Sequence, residues 1–378
     1  MSEQGRGPGA ADSIDPGYYE RRDANFDLSW QKQEVLPDLD MNARIAYFKR
    51  FGSSEDTGTS LFPEGAFFGA FPQGVLSYQT QRELVVLLDM LSFFHGLKDH
   101  EMLFGTGFHW KDLDKVTSII NYEFVNGSFV PTPLRDVSDT DEVFMPEKQR
   151  TSYYFMFQDE WRFAENWTLT SGLRFDDFDD FGSTTTPRVA LVWQSTPTVT
   201  SKLMYGEAFR APALTELYVT ANPNATGNPD LEPEKLRNIE LAFMWNPTAT
   251  LNASFNLFRY QIRDGIRYTP APKELGYARM DWDLGALTLS PQIRYVGTRH
   301  REIFDPRDDL SGYTAIDLTA RYESIGNWSV AFIGRNITDE DTRDASRGPN
   351  DSSSGRPRIY YGDPQPGRSL TLELNFFL

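Results

Sequence analysis

The chain has 378 residues, a net charge of -17, no cysteine, and aromatic side chains at 14% of its positions. The lack of cysteine excludes disulfide frameworks and thiolate metal sites, and the acidic balance argues against nucleic acid as a partner. No run of about 18 apolar residues is present, which excludes a transmembrane helix. These features do not exclude a transmembrane barrel, because barrel strands alternate apolar and polar residues.

Residues 1–20 are rich in Gly, Pro, Asp and Ser, and they predict a loop or a disordered lead. This lead lacks the apolar core of a signal peptide. We therefore expect the export signal to be missing from this chain. We expect one β domain over residues 21–378.

Fifteen later segments predict strands, because apolar and polar residues alternate in most of them. In Gln81–Phe94 the alternation is poor, and the stretch LVVLLDMLSFF fits a helix equally well. The predicted strands are, approximately, Asp23–Val35, Met41–Phe51, Gln81–Phe94, Met102–Leu113, Arg150–Phe163, Trp167–Phe175, Pro187–Gln194, Thr200–Arg210, Leu236–Trp245, Leu251–Arg263, Gly276–Leu284, Leu287–Val296, Thr314–Tyr322, Trp328–Asn336 and Arg368–Leu378.

The final strand shows the alternation most clearly. One face carries only apolar side chains and the other only polar ones, as expected for a wall between lipid and a wet interior. The apolar face comprises Leu370, Leu372, Leu374, Phe376 and Leu378, and the polar face comprises Ser369, Thr371, Glu373 and Asn375.

The connections between predicted strands alternate between short polar turns and long loops. Outer-membrane barrels have this asymmetry, with tight periplasmic turns and extended outer loops. A soluble sandwich or propeller has no reason to separate its loops by length in this way. The fold predicted from the residues is therefore an all-β, antiparallel transmembrane barrel.

Several stretches resemble the TonB-dependent receptors of Gram-negative outer membranes. They are FMFQDEWRFAENWTLTSGLRFDDFDDF at 155–181, YGEAFRAPALTELY at 205–218, NPDLEPEKLRNIELAF at 228–243, RNITDEDTRD at 335–344 and, more weakly, LFGTGFHWKDL at 103–113. The most specific feature is a pair of boxes, formed by Phe209, Arg210, Ala211 and Pro212 and by Asn228, Pro229, Asp230 and Leu231.

The resemblance implies a plugged barrel of about 22 strands. The chain departs from that pattern, since it shows no plug and no TonB box, and it ends in Leu378 where the family usually has an aromatic residue. Counted back from a periplasmic carboxy terminus, the first and last predicted strands both run downward. We therefore expect a truncated receptor barrel, lacking five strands before Asp23 and two near Tyr268.

The resemblance also implies a function, namely uptake of a scarce small-molecule chelate, with a ferric siderophore as the favoured ligand. The implied partners are outer-membrane lipid, the barrel-assembly machinery acting on the terminal strand, and the TonB system if a plug is supplied. A non-transporting barrel or adhesin that makes contacts through its surface loops is the alternative. A soluble β enzyme has no supporting motif.

Five residues are candidate ligand contacts. Arg210 could hold an anionic chelate, although a structural pairing with an acid on a neighbouring strand is the favoured interpretation. The aromatic cluster of Phe67, Phe68 and Phe71 could hold an aromatic ligand or fold inward, and Tyr218 lies in the same receptor-like stretch as Arg210. Inward-facing Glu160, Arg162 and Arg174 could line a pore or pack against a plug.

Other chemistry has little support in the sequence. The four histidines, His95, His100, His109 and His300, lack metal-ligand spacing. The resemblance disfavours haem as the ligand, since haem receptors of the family tend to have a histidine between the two boxes and residues 213–227 contain none. Asp176, Asp177, Asp179 and Asp180 could bind calcium, but a solvated acidic tip is the simpler interpretation. No nucleophile elbow and no phosphate-binding glycine loop is present. We therefore predict no enzyme, no cofactor and no metal site.

Overall fold

The structure is a computed structural model that describes residues 2–5, 18–53, 59–62, 65–67, 69–126, 128–221, 226–266, 271–301, 307–324, 326–344 and 363–376. The strands are β1 (Ser2–Gly5), β2 (Tyr18–Leu36), β3 (Leu39–Ser53), β4 (Thr59–Phe62), β5 (Val75–Phe94), β6 (His100–Val125), β7 (Ser128–Asp136), β8 (Lys148–Ala164), β9 (Trp167–Phe178), β10 (Gly182–Thr196), β11 (Val199–Arg210), β12 (Glu234–Thr248), β13 (Leu251–Arg263), β14 (Glu274–Asp283), β15 (Leu287–Val296), β16 (Tyr313–Glu323), β17 (Trp328–Arg335), β18 (Arg343–Asp344), β19 (Asp363–Pro364) and β20 (Ser369–Phe376). The helix α1 (Leu214–Tyr218) lies between β11 and β12.

Eighteen strands belong to one antiparallel sheet, and β18 with β19 forms a separate small hairpin. Each main strand pairs with the next main strand along the chain, from β2 through β3, β5, β6 and β8 to β17 and β20. In the described residues β20 pairs only with β17, so it forms an edge of the sheet. The fifteen predicted strands all exist, and the ambiguous Gln81–Phe94 stretch lies within strand β5.

Several strands extend beyond their predicted ends into segments predicted to be loops. The segment Lys115–Gln149 contains the end of β6, all of β7 and the start of β8. The end of β6 and β7 form a hairpin in which Val125 pairs with Ser128, and this pairing extends β6 beyond its predicted end. The lead predicted to be a loop contains β1 and the start of β2, which pair with each other. Edge strands offer free backbone donors and acceptors, so polar sequence can extend a sheet there.

The two faces of the sheet differ in chemistry, as the alternation predicts. Side chains on one face, the apolar face, are large, apolar and largely exposed, and Leu372 of β20 is 74% exposed. On the other face, the polar face, side chains such as Tyr154 and Asp176 are 6% and 4% exposed. A water-soluble protein would bury the apolar face instead, so this inversion is the arrangement of a wall in lipid.

On the apolar face, seven of the eight tryptophans lie toward the short turns at one end of the sheet. Trp167 and Trp193 stack across β9 and β10, with ring centroids 5.0 Å apart. Tryptophan prefers the boundary between hydrocarbon and water, so this row marks one membrane interface. The seven are Trp30, Trp161, Trp167, Trp193, Trp245, Trp282 and Trp328.

The opposite end carries the long connections, with one exception. The link between β9 and β10 comprises only residues 179–181, because the acidic segment continues the two strands instead of forming a loop. We call this end the loop end and the other the short-turn end. Among the described residues no helix is long and apolar enough to cross a membrane.

Candidate ligand-binding and inner-wall sites

The loops at the loop end pack against one another through two small apolar cores. The first joins Leu113 and Val116 of β6 to residues of the β7–β8 and β11–β12 loops, including Met145 and Leu214. The second comprises Phe71, Val75, Ile120, Tyr122 and Val137. Burial of this kind gives the loop end a fixed shape.

The two receptor-like boxes are brought together where β11 ends. The Asn228 backbone N–H donates to the Glu216 carbonyl over 2.9 Å, which ties the second box to α1. The Glu216 carboxylate accepts from the Ala213 N–H at 2.8 Å and from the Arg210 guanidinium at 2.9 Å. The boxes therefore form one folded turn, and Pro212 is fully buried within it.

Arg210 lies beside two acids. Besides Glu216, its guanidinium lies 3.8 Å from the Glu234 carboxylate, which is directly opposite on β12. This is the pairing anticipated as the structural role of Arg210. Its side chain remains 41% exposed, so part of it is accessible to solvent.

Arg150 clamps three segments of the loop end. Its guanidinium lies 2.7 Å from the Asp180 carboxylate, and it donates to the Pro212 carbonyl at 2.9 Å. It also lies over the Phe181 ring, 5.1 Å from the centroid. Both charged side chains are nearly buried, at 11% and 8% exposure. No pattern in the sequence predicted these contacts, because the partners of Arg150 lie up to 62 residues from it along the chain.

Tyr218, at the end of α1, packs against the first apolar core, and the Lys148 ammonium lies 4.6 Å from its ring centroid. Partial burial, with a smaller effect of the nearby Asp180 carboxylate, raises the pKa of the Tyr218 phenol. The phenol is therefore neutral at ordinary pH, able to donate a hydrogen bond.

The predicted aromatic cluster divides between the core and the surface. Phe71 is buried in the second apolar core, whereas Phe67 is exposed and adopts a positive φ of 55°. The Phe67 ring still contacts Phe71 and Phe129, with centroids 5.8 and 5.4 Å away. Phe68 lies outside the described residues. Of the two described phenylalanines, Phe67 is thus the one placed where a ligand could reach it.

The acidic segment is only partly a solvated tip. Asp176 is held by hydrogen bonds from Arg174, Asp180 by Arg150, and Asp179 accepts from the Thr151 N–H at 2.9 Å. The two arginines therefore balance the charges of Asp176 and Asp180, whereas the Asp179 side chain remains exposed.

Two histidines at the short-turn end have acidic partners, although residues 95–99 of their turn are exposed to solvent. The His95 ring contacts both Glu101 and Asp40, and hydrogen bonding to Glu101 chiefly raises the His95 pKa. His100 hydrogen-bonds Asp159 at 2.8 Å and stacks on Trp161, with centroids 5.4 Å apart.

A row of side chains crosses five strands on the polar face, and we call it the inner-wall row. Cross-strand pairing aligns its members in the order Arg44, Asp89, Gly107, Tyr154 and Asp176. Gly107 leaves a gap in β6, since an added Cβ would lie 2.2 Å from the Tyr154 ring and 2.6 Å from the Asp89 carboxylate. Through this gap the Tyr154 hydroxyl donates to Asp89 at 3.0 Å.

Two flanking residues complete the row. The His109 Nε2 lies 3.0 Å from the same Asp89 oxygen, and Arg174 stacks on Tyr154 with its guanidinium 3.8 Å from the ring centroid. Of the row and its flanking residues, the sequence indicated Arg174 and Asp176 as facing inward. The one further sequence feature that could have indicated contacts across β6 was a glycine, Gly107, at an inward position.

The other two inward candidates have looser surroundings. Glu160 and Arg162 lie 3.9 Å apart near the end of β8, and both are well exposed. The terminal-strand residues Leu370, Leu372, Leu374 and Phe376 all lie on the apolar face, as predicted, while Leu378 lies outside the described residues.

Comparisons with known proteins agree with this architecture. Over 130 residues the chain is 36% identical to an iron-regulated outer membrane virulence protein of Vibrio cholerae, covering 33% of this chain and 20% of that protein. Over 204 residues it is 30% identical to the vitamin B12 transporter BtuB of Vibrio cholerae, covering 52% and 32%. The chain thus spans a fifth to a third of the length of these relatives.

Among solved structures, the copper transporter OprC matches with a TM-score of 0.53 at 14% identity, covering 95% of this chain and 65% of that one, which supports the fold alone. The family model for the TonB dependent receptor-like β-barrel matches residues 3–277. This is a family of receptors and transporters rather than enzymes. The chain is therefore a member of the TonB-dependent receptor-like β-barrel family.

Proposed function

We propose that this chain forms the wall and outer loops of an outer-membrane receptor that takes up a ferric siderophore. The observation that carries the proposal is the inverted distribution of its side chains, apolar outside and charged inside, in a member of this family. A polar inner wall suits passage of a hydrophilic chelate, and an apolar exterior suits lipid.

The ligand class rests on similarity and on the loop end. The matched relatives include an iron-regulated protein and a vitamin B12 transporter, both named for the outer membrane or for uptake. The loop end offers the exposed side of Arg210 and the exposed ring of Phe67. A cation and an aromatic ring are suited to an anionic chelate with aromatic groups.

The proposed partners follow from the same arrangement. Lipid contacts the apolar face, and the barrel-assembly machinery acts on the terminal strand. The TonB system takes part if a plug is supplied, because the receptors of this family work with TonB. The proposed location is the outer membrane of a Gram-negative cell.

An uptake assay tests the proposal. Deletion of the gene in its host should abolish growth on one ferric siderophore as the iron source, and cobalamin uptake should be unchanged. Restoration with an Arg210→Gln variant should give weaker uptake than restoration with an Arg259→Gln variant, since Arg259 is an exposed residue of β13.

Three results would count against it. Normal growth on every ferric chelate would exclude iron uptake, and a loss of cobalamin uptake instead would change the ligand class. Loss of surface attachment without any uptake defect would favour the adhesin, whose loops would use the two apolar cores as a rigid platform.

A further inference from the structure

The inner-wall row contains two carboxylates, Asp89 and Asp176, and their partners differ. Asp176 is paired with Arg174, and Arg44 donates two hydrogen bonds to Asp27 on β2, beside the row. Among the described residues no lysine or arginine forms an ion pair with Asp89, whose side chain instead contacts the His109 imidazole and the Tyr154 phenol.

We propose that Asp89, His109 and Tyr154 form a metal site on the inner wall, which takes a hard transition-metal cation such as Fe³⁺. A carboxylate, an imidazole and a phenol are oxygen and nitrogen donors of the kind that iron accepts. The proposal rests on this cluster and not on the transport function.

The spacing of the donor atoms fits such an ion. The Tyr154 Oη and the His109 Nε2 each lie 3.0 Å from the Asp89 Oδ1. Neighbouring ligands around a six-coordinate ion with bonds of about 2.1 Å are about 3 Å apart. An ion can thus replace the two hydrogen bonds with small side-chain movements.

The surroundings supply access and support. Asp89 and His109 are partly exposed on the inner wall, at 22% and 35%, so an ion and its remaining water ligands can reach them. The buried Tyr154 ring is fixed by Arg174, whose charge is already neutralised by Asp176. Binding requires the phenolate, so the Tyr154 proton passes to solvent as the metal–oxygen bond forms.

No group of three His, Cys, Asp or Glu side chains suited to a metal occurs in the described part of the chain. The cluster proposed here has two donors of those types, and its third donor is the phenol. Gly107 is the residue that allows this combination, because any side chain there would separate Asp89 from Tyr154.

Titration of the purified, folded protein with ferric nitrilotriacetate tests the site. We expect a visible absorption band from charge transfer between tyrosinate and Fe³⁺, saturating at one ion per chain. Tyr154→Phe should abolish the band, whereas Tyr277→Phe should keep it, because Tyr277 is an inward tyrosine bonded to Gln292. Asp89→Asn should weaken iron retention in equilibrium dialysis at least tenfold.

Absence of the band in the wild-type protein, or an equal band in Tyr154→Phe, would overturn the proposal. Heat-modifiable migration on a gel checks that each variant is folded. If Tyr154→Phe does not fold, His109→Gln decides, since iron retention equal to wild type would exclude the site. The measurement uses metal and protein alone, so either result leaves the uptake proposal standing.

Discussion

Removal of the Arg150 guanidinium should release the loop end while leaving the barrel wall intact. In Arg150→Met the Asp180 carboxylate stays nearly buried without its partner, and the Pro212 carbonyl loses a charged donor. Breaking a buried pair from one side costs about 3–5 kcal/mol. That cost corresponds to a decrease in the local protection factors against amide hydrogen exchange by a factor of about 10² to 10³·⁵.

Amide hydrogen exchange with mass spectrometry measures this effect directly. We expect the loss of protection in α1, in the turn preceding it and in the β7–β8 loop, all of which meet at the first apolar core. The Glu216 and Leu217 amides, which donate to the Ala213 carbonyl, should report it most clearly.

A double variant separates charge burial from simple loss of contacts. Arg150→Met combined with Asp180→Leu should recover much of the protection, because no buried charge is left unpaired. Arg259→Gln is the matched control, since its pair with Glu274 is exposed and should be energetically silent. A decrease of less than tenfold in Arg150→Met, or no recovery in the double variant, would refute the reasoning.

Three further predictions concern the wall and the short turns. Gly107→Ala should lower the thermal midpoint of the heat-modifiable band, because its Cβ meets the Tyr154 ring at 2.2 Å. Leu372→Arg should reduce folding into bilayers by about 2–4 kcal/mol if that residue sits near the membrane midplane. The raised His95 pKa stabilises the turn while the ring is charged, so this stabilisation is complete below about pH 6.5 and lost as pH rises through the folded-state value.

Each has a matched comparison. Gly206→Ala should be tolerated, since no atom lies within 4 Å of the position that its Cβ would occupy, and equal destabilisation at both glycines would contradict the steric argument. Thr371→Arg, on the polar face of the same strand, should fold better than Leu372→Arg. His95→Gln should remove the pH dependence of the amide protection factors in its turn, and an unchanged profile would assign that dependence to other groups.

The alternation of apolar and polar residues along the chain determined most of the strands and the face of the sheet that meets lipid. Side chains of a strand point alternately to two faces, so the residues of β20 specified both their strand and which face meets lipid. The same periodicity located most of the fifteen main strands, although it left Gln81–Phe94 ambiguous, and the receptor-like boxes indicated the family.

The ends of the strands and the side-chain sites depended on tertiary structure. Hairpin pairing extended β6 into sequence with loop composition, and strand continuation absorbed the acidic segment. The Arg150 clamp and the inner-wall row join residues about 60 positions apart, such as Asp89 and Tyr154 at a separation of 65. Contacts between residues so far apart in the chain depend on strand register and, for Asp89 and Tyr154, on the gap at Gly107. Neither feature produces a periodic pattern in the local sequence. Where apolar and polar residues alternate, the sequence by itself determined which way the side chains face, and only the folded sheet decided which side chains meet.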